Sequence, residues 1–116
     1  MSGRMTHLWL QDIAEAIQHV LDFTSEFDYD AFSKNIQTKH AVFHNFTVIG
    51  EAASKIPSEY KNLHPEVAWR EIKSFRNYVV HEYFGLDDRI VWNIIQADLT
   101  RLLGLFKTLL EKENRK

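Results

Sequence analysis

The chain has 116 residues, 45% hydrophobic and 26% charged, with a formal net charge of −2 at pH 7, which favours one folded domain and excludes both a disordered chain and a generally basic nucleic-acid binder. Because the chain has no cysteine, a disulfide framework, a thiolate zinc site and a cysteine nucleophile are also excluded. Only four glycines and two prolines are present, which disfavours a turn-rich β-sandwich or barrel.

The N-terminal half of the sequence predicts two long helices separated by a short one. Apolar residues recur at three- and four-residue spacing over about residues 6–23, which is typical of an amphipathic helix. A polar stretch follows, in which Asp28 or Asp30 can cap a short helix over residues 31–35. The same apolar spacing predicts the second long helix over about residues 38–55.

Gly50 lies inside this second long helix, where a glycine costs about 1 kcal/mol relative to alanine. We therefore expect Gly50 to pack closely against a neighbouring backbone. Pro57 ends the helix, and residues 58–64 are expected to form a connector.

The C-terminal half predicts two further long helices. The third starts near Pro65 and runs to about residue 84, with a possible break at residues 68–69 and a stop at Gly85. The fourth begins after Asp87, a plausible N-cap, and continues to about residue 110. A charged, frayed tail is expected over residues 110–116.

No segment shows the alternating pattern of a strand, so we expect residues 1–116 to form one all-α domain, an antiparallel bundle of four to five helices. The two C-terminal helices carry more apolar surface than such a bundle easily hides, which favours a dimer formed through its helices. No stretch approaches the roughly 18 apolar residues of a membrane span, and the N-terminus lacks a signal-peptide core. We expect a soluble, cytoplasmic protein with no membrane contact.

The third helix concentrates the side chains that can carry chemistry. On an ideal wheel its core-facing stripe consists of Ile72, Phe75, Val79 and Tyr83. Arg76 lies at the edge of this stripe, whereas Asn77 and His81 share a face roughly opposite to it. In an isolated chain, Asn77 and His81 read as ordinary solvated residues. In a dimer that pairs this helix with its two-fold mate, Arg76, Asn77 and His81 of both chains would line one cleft.

The order Arg76-Asn77-Tyr78-Val79-Val80-His81-Glu82-Tyr83 resembles the Arg-Asn-x-x-x-His-x-Tyr signature of HEPN domains of the HepT-like group. The flanking segments are similar too, and the resemblance spans about residues 5–110. These segments are Ile49-Gly50-Glu51-Ala52, Trp69-Arg70-Glu71-Ile72, His81-Glu82-Tyr83-Phe84-Gly85 and Val91-Trp92.

The resemblance implies a small all-α homodimer that acts as a toxin ribonuclease, paired with an antitoxin of the minimal nucleotidyltransferase (MNT) type. It implies catalytic roles for Arg76 and His81, a supporting polar role for Asn77, and AMPylation of Tyr83 by the antitoxin as the means of inhibition. One departure is His44, which stands where family members often have an arginine. If that arginine helps bind RNA or the antitoxin, a histidine weakens the contact at neutral pH.

Arginine and histidine suit metal-independent cleavage of RNA, in which the ribose 2′-OH attacks the adjacent phosphate. An imidazole transfers protons near neutral pH, and a guanidinium binds phosphate oxygens while staying charged. Each chain supplies one motif histidine, so a symmetric dimer would supply a base and an acid from the two copies of His81. Asn77 can hold the imidazole or the RNA through its amide.

Other candidate sites favour structural roles. His40 and His44 are four residues apart, but no third metal ligand is evident, so we expect no metal site and no cofactor. Asp87 and its neighbour Asp88 are better explained by helix capping. Glu51 is expected to pair with a buried arginine, and the three tryptophans are expected to anchor the core or an interface. They are Trp9, Trp69 and Trp92.

Charge is unevenly distributed, with 4 basic and 7 acidic residues in 1–58 against 10 basic and 9 acidic in 59–116. Any site for a polyanion is therefore expected in the second half, which contains the motif. A second hypothesis remains open at this point: a non-catalytic HEPN module that binds a nucleotide or scaffolds a partner nucleotidyltransferase. The slightly acidic total charge favours this alternative, and the intact Arg76 and His81 favour the ribonuclease.

Overall fold

The computed structural model describes residues 2–115, which contain seven α-helices, one short 3₁₀ turn and no strand. The predicted all-α fold is confirmed. The helices are α1 (Ser2–Thr24), α2 (Tyr29–Lys34), α3 (Ile36–Lys55), α4 (Ser58–Leu63), α5 (Trp69–His81), α6 (Asp88–Ala97) and α7 (Leu99–Asn114), and the 3₁₀ turn is Tyr83–Gly85.

Helix α3 is the centre of the bundle, because it packs against α1 on one side and α5 on the other. Helix α1 packs in turn on α7, and α2 packs on α3 and α6. The fully buried core side chains come from α1, α2, α3, α5, α6 and α7, and the largest are Phe32, Phe106, Leu10, Ile13, Ile17, Ile95, Leu99 and Leu109. The site described below lies along the contact between α3 and α5.

Three helix starts follow the capping chemistry of their sequences. The Asp28 carboxylate accepts a 2.8 Å hydrogen bond from the Ala31 amide, so the predicted cap of α2 is confirmed. The Asp87 carboxylate accepts a 2.9 Å bond from the Arg89 amide at the start of α6, as predicted. Asn35 caps α3 in the same way, which starts this helix at Ile36, two residues before the predicted start.

Residues 58–64 are not a plain connector as predicted, because Ser58–Leu63 form the short helix α4. Tyr60 is buried within it and holds it against the body of the domain. No described residue offers a partner to the Tyr60 hydroxyl, and burial, followed by the negative charges of Glu113 and Glu66, raises its pKa to about 12. A buried hydroxyl without a partner is a local cost to stability.

Helix α5 is shorter than predicted at both ends. It begins at Trp69, at the possible break predicted for residues 68–69, and not near Pro65. The Trp69 indole donates a 3.0 Å hydrogen bond to the His64 carbonyl and closes a turn ahead of the helix. It ends at His81, after which the chain tightens into the 3₁₀ turn Tyr83–Gly85. This turn moves Tyr83 out of the regular wheel on which its position was predicted.

The predicted fourth helix is divided at Asp98 into α6 and α7. The helical hydrogen bonds continue through the division, from the Asp98 amide to the Ile94 carbonyl at 2.9 Å and from the Leu102 amide to the Asp98 carbonyl at 3.0 Å. The division is therefore a local distortion at one residue, where the φ angle of Asp98 is −116°. Helix α6 packs on α2, and α7 packs on α1. Helix α7 includes residues 111–114 of the expected tail, whose last residue lies outside the described residues.

The tryptophans that the structure describes take part in packing, as predicted. Trp92 is buried, with its ring 5.2 Å from that of Phe32, and Trp69 meets Phe106 edge to face at 5.7 Å. Trp9 is partly buried against the core.

Among residues 2–115, no helix combines the length and the apolar character needed to cross a bilayer.

Candidate functional site

The side chain of Arg76 on α5 packs directly on Gly50 of α3, and this is the tightest contact in the site. A methyl group built on Gly50 would lie 2.1 Å from Arg76 Cγ and 2.2 Å from Arg76 Cβ. The prediction of close packing at Gly50 is confirmed, but its partner is an arginine side chain and not a backbone. The missing side chain of Gly50 therefore makes room for the stem of Arg76.

The guanidinium of Arg76 is held at two of its nitrogen atoms. Nη2 donates a hydrogen bond to Glu51 Oε1 on α3, and Nη1 donates a 3.0 Å bond to Asn77 Oδ1. The predicted pairing of Glu51 with an arginine is confirmed, although 32% of the Arg76 side chain remains exposed and it is not fully buried. The guanidinium is therefore fixed in direction while part of it faces solvent.

Asn77 and His81 do not form the pair that their four-residue spacing suggests. The Asn77 amide is engaged by Arg76, and no hydrogen bond joins Asn77 to His81 within the described chain. His81 is exposed at the last position of α5, about 140° around an ideal helix from Arg76. A single chain therefore fixes Arg76 against α3 and presents His81 on another face.

Tyr83 lies on the 3₁₀ turn after α5, where its half-buried ring packs back onto α3. The ring centroid is 5.5 Å from that of Phe43, edge to face, and 5.7 Å from that of His40. Arg76 and Tyr83 thus both lie along the contact between α3 and α5, and His81 lies between them in sequence on a different face.

Two polar contacts hold the segment that carries Tyr83. The Tyr78 hydroxyl accepts a 2.9 Å hydrogen bond from the Asp87 amide, which joins α5 to the start of α6. Lys39 on α3 pairs with Asp88 at 3.0 Å, with both side chains about one-fifth exposed. The residues just after the turn are thereby tied to both α5 and α3.

His40 and His44 point to different surroundings in spite of their helical spacing. The His40 ring packs at a tilt against the Tyr83 ring, whereas His44 lines a shallow depression between α1 and α3 with Asp12, Glu15 and His19. Within residues 2–115, no three side chains of the metal-ligating types are grouped to hold a metal ion.

Sequence reasoning missed two residues of this region. The sequence suggests His40 only as a metal ligand, although its spacing of three from Phe43 places both rings on one side of α3. The position of Tyr78 between Asn77 and Val79 gives no sign of its bond to Asp87. Both roles depend on the angle at which the turn after α5 folds back, which periodicity does not encode.

Comparison with known proteins gives consistent matches. The family described as "Ribonuclease HepT-like" matches residues 13–109. The chain is similar to "Probable ribonuclease HepT" of Thermococcus cleftensis, with 41% identity over 101 residues, 87% of this chain and 92% of that protein. It is also similar to "Putative RNase MJ1380" of Methanocaldococcus jannaschii, with 34% identity over 102 residues, 88% of this chain and 94% of that protein. Among solved structures, none matches the chain.

Proposed function

The chain belongs to the HepT-like family of HEPN domains, and we propose that it is a metal-independent endoribonuclease whose active site is completed by a second copy of the chain. The proposal rests on the way in which the Arg76 side chain is held in place. Its stem is seated on Gly50 and its guanidinium is oriented by Glu51 and Asn77, with part of it left exposed. A cation held in this way is preorganised to stabilise charge that develops on a phosphate.

In the proposed reaction the ribose 2′-oxygen forms a bond to the neighbouring phosphorus, and the bond from phosphorus to the 5′-oxygen breaks. The proton of the 2′-OH passes to the neutral imidazole of one His81, and the protonated imidazole of the partner's His81 gives a proton to the leaving 5′-oxygen. Arg76 stabilises the extra negative charge of the pentacoordinate phosphorane. The products are a 2′,3′-cyclic phosphate and a 5′-OH end.

The separation of Arg76 from His81 within one chain supports a dimeric site. His81 is exposed at the end of α5, and the adjacent Val80 leaves 41% of its surface exposed. Pairing of α5 with its two-fold mate would cover apolar surface and bring the exposed histidines to the arginines. Light scattering coupled to size-exclusion chromatography tests the dimer directly.

The decisive experiment is RNA cleavage by the purified protein in EDTA, with Arg76→Ala and His81→Ala beside the wild type. We expect cleavage by the wild type and none by either variant, with an unchanged helical circular dichroism spectrum because neither side chain is buried. A variant that still cleaves would refute its catalytic role. A requirement for added metal ions would refute metal independence.

A mixed dimer with one intact His81 separates the two-histidine mechanism from a one-histidine mechanism. Two differently tagged chains, wild type and His81→Ala, can be purified as the mixed species. If one imidazole is the base and the other the acid, the mixed dimer loses most of the activity. Full activity in the mixed dimer would rule out that division of roles.

We also propose that the protein is the toxin of a pair whose antitoxin is an MNT-type nucleotidyltransferase that AMPylates Tyr83. In that step Tyr83 Oη bonds to the α-phosphorus of ATP, the bond to pyrophosphate breaks, and the phenolic proton is released. Tyr83 lies on the same α3–α5 contact as Arg76, so the added negative charge would repel RNA phosphates. Mass spectrometry after incubation with the transferase and ATP should show one AMP group on Tyr83 and none on Tyr83→Phe.

A further inference from the structure

Three aromatic rings meet where α3 passes the turn after α5, and we call His40, Phe43 and Tyr83 the ring cluster. Their centroids are 5.5 Å apart for Phe43 and Tyr83, 5.7 Å for His40 and Tyr83, and 6.4 Å for His40 and Phe43. Phe43 is buried beneath the other two, whereas His40 is exposed and Tyr83 is half-buried. The cluster therefore presents the exposed His40 ring and part of the Tyr83 ring, both packed against the buried Phe43 ring.

The ring cluster lies on the same pair of helices as the arginine of the proposed active site. Arg76 precedes Tyr83 by seven residues on α5 and its turn, and Gly50 follows His40 by ten residues on α3. At about 1.5 Å of rise per residue, the two places are about 10–15 Å apart. A stacked strand that advances about 3.4 Å per nucleotide covers this distance in about three to four nucleotides.

The charges around the ring cluster disfavour a phosphate as its ligand. Glu82 and Asp87, on either side of the turn that carries Tyr83, are exposed, and Lys39, next to His40 in sequence, is already paired with Asp88 at 3.0 Å. Arg89 is engaged as well, because its guanidinium lies 3.6 Å from the centroid of the Tyr29 ring. A neutral, planar group suits such a surface better than an anion.

We propose that the ring cluster is a nucleobase-binding subsite, on which a base about three to four nucleotides from the cleaved phosphate stacks on the exposed His40 ring, with the Tyr83 ring tilted by 59° beside it. The inference rests on the proposed ribonuclease function, because it takes single-stranded RNA as the ligand. Proteins recognise unpaired RNA bases by stacking them on aromatic and histidine rings, and such stacking tolerates any base. The subsite would therefore set the position of the strand more than its sequence.

The first test measures binding without cleavage. A fluorescent RNA hexamer with 2′-O-methyl groups carries no free 2′-OH nucleophile, so its fluorescence anisotropy reports affinity alone. We expect His40→Ala to raise the Kd about tenfold, as for loss of one stacked base, and His40→Phe to stay close to the wild type. His7→Ala is the control, because His7 lies on α1, about 25 Å from His40 when measured along the axis of the packed helices α1 and α3.

The second test locates the base. In a series of hexamers that each lack one base, one position should weaken wild-type binding about tenfold and leave His40→Ala binding nearly unchanged. Equal losses in both proteins at every position would overturn the subsite. So would wild-type affinity in His40→Ala, or a failure of the wild type to bind the intact hexamer.

Cleavage of unmodified RNA by the wild type and by His81→Ala separates this inference from the proposed function. If His81-dependent cleavage is present and His40→Ala binds and cleaves as the wild type, the subsite is wrong and the ribonuclease stands. If no cleavage occurs but hexamer binding depends on His40, the ribonuclease is wrong and the base-binding surface stands.

Discussion

Replacement of Gly50 by alanine tests whether the close packing of the Arg76 side chain on Gly50 is needed for the proposed activity. Gly50 has no positive φ angle, so the helix itself would gain from the change by about 1 kcal/mol. The new methyl group, however, would fall 2.1–2.2 Å from the first two carbons of the Arg76 side chain. These atoms are anchored to α5 and cannot swing aside as the end of a flexible side chain can, so either Arg76 or the whole helix must shift.

The size of the effect follows from two opposing contributions. Overpacking of a tight contact costs about 1–3 kcal/mol, which offsets the helical gain and leaves Gly50→Ala between neutral and about 2 kcal/mol less stable. If Arg76 acts as proposed, the effect on activity should be larger, because a displacement of about 1 Å at a catalytic group can cost about 100-fold in rate. We therefore expect a folded protein with strongly reduced cleavage of RNA.

Gly104→Ala is the matched control, because Gly104 lies within α7 and a methyl group there would meet no atom within 4 Å. This variant should gain about 1 kcal/mol of stability and cleave RNA at the wild-type rate. Urea denaturation and cleavage kinetics on the three proteins give both quantities. Wild-type cleavage by Gly50→Ala, or a gain in stability equal to that of Gly104→Ala, would refute the reasoning.

Three further variants test other contacts. Glu51→Gln keeps an oxygen for the Arg76 guanidinium but removes a negative charge near the proposed phosphate site. At low salt, KM for RNA should therefore fall about two- to threefold with kcat little changed. A rise in KM would contradict this. Tyr60→Phe removes a buried hydroxyl without a described partner and should raise the free energy of unfolding by about 1 kcal/mol, measured in urea. The pKa of Tyr60 is raised to about 12 in the folded protein, whereas in the unfolded chain it is about 10. The free energy of unfolding should therefore fall as the pH rises from about 10 through 12, and this fall should be smaller in Tyr60→Phe. Tyr78→Phe removes the bond to the Asp87 amide and should cost about 1 kcal/mol, and an unchanged denaturation midpoint would show that this bond adds nothing.

The sequence predicts those parts of the fold that depend on local chemistry. The long apolar repeats of α1 and α3 and the caps of Asp28 and Asp87 are such parts, because each involves residues only a few positions apart. Helix α4 is six residues long, too short for a repeat to show. The distortion at Asp98 leaves both the apolar pattern and the helical hydrogen bonds nearly unbroken, so no residue signals it.

The candidate site likewise has features that the sequence predicts and features that it does not. Motif spacing predicts the positions of Arg76 and His81 on one helix, and the charge of Glu51 predicts its pairing with an arginine. That Gly50 packs against this same arginine, and that His40 packs against Tyr83, depends on how α3 and α5 approach each other. Such approach distances come from the whole bundle and have no signature in a local window of sequence.

The bond from the Asp87 amide to the Tyr78 hydroxyl turns one backbone proton into a reporter of the turn that carries Tyr83. An amide exchanges its hydrogen with solvent only when its bond opens, so the exchange rate at Asp87 measures how often α6 parts from α5. In Tyr78→Phe the same proton should exchange at the rate of an unprotected amide, while those in the middle of α3 remain slow. Deuterium exchange at this position can thus follow, in the intact protein, whether RNA or a partner holds the turn closed.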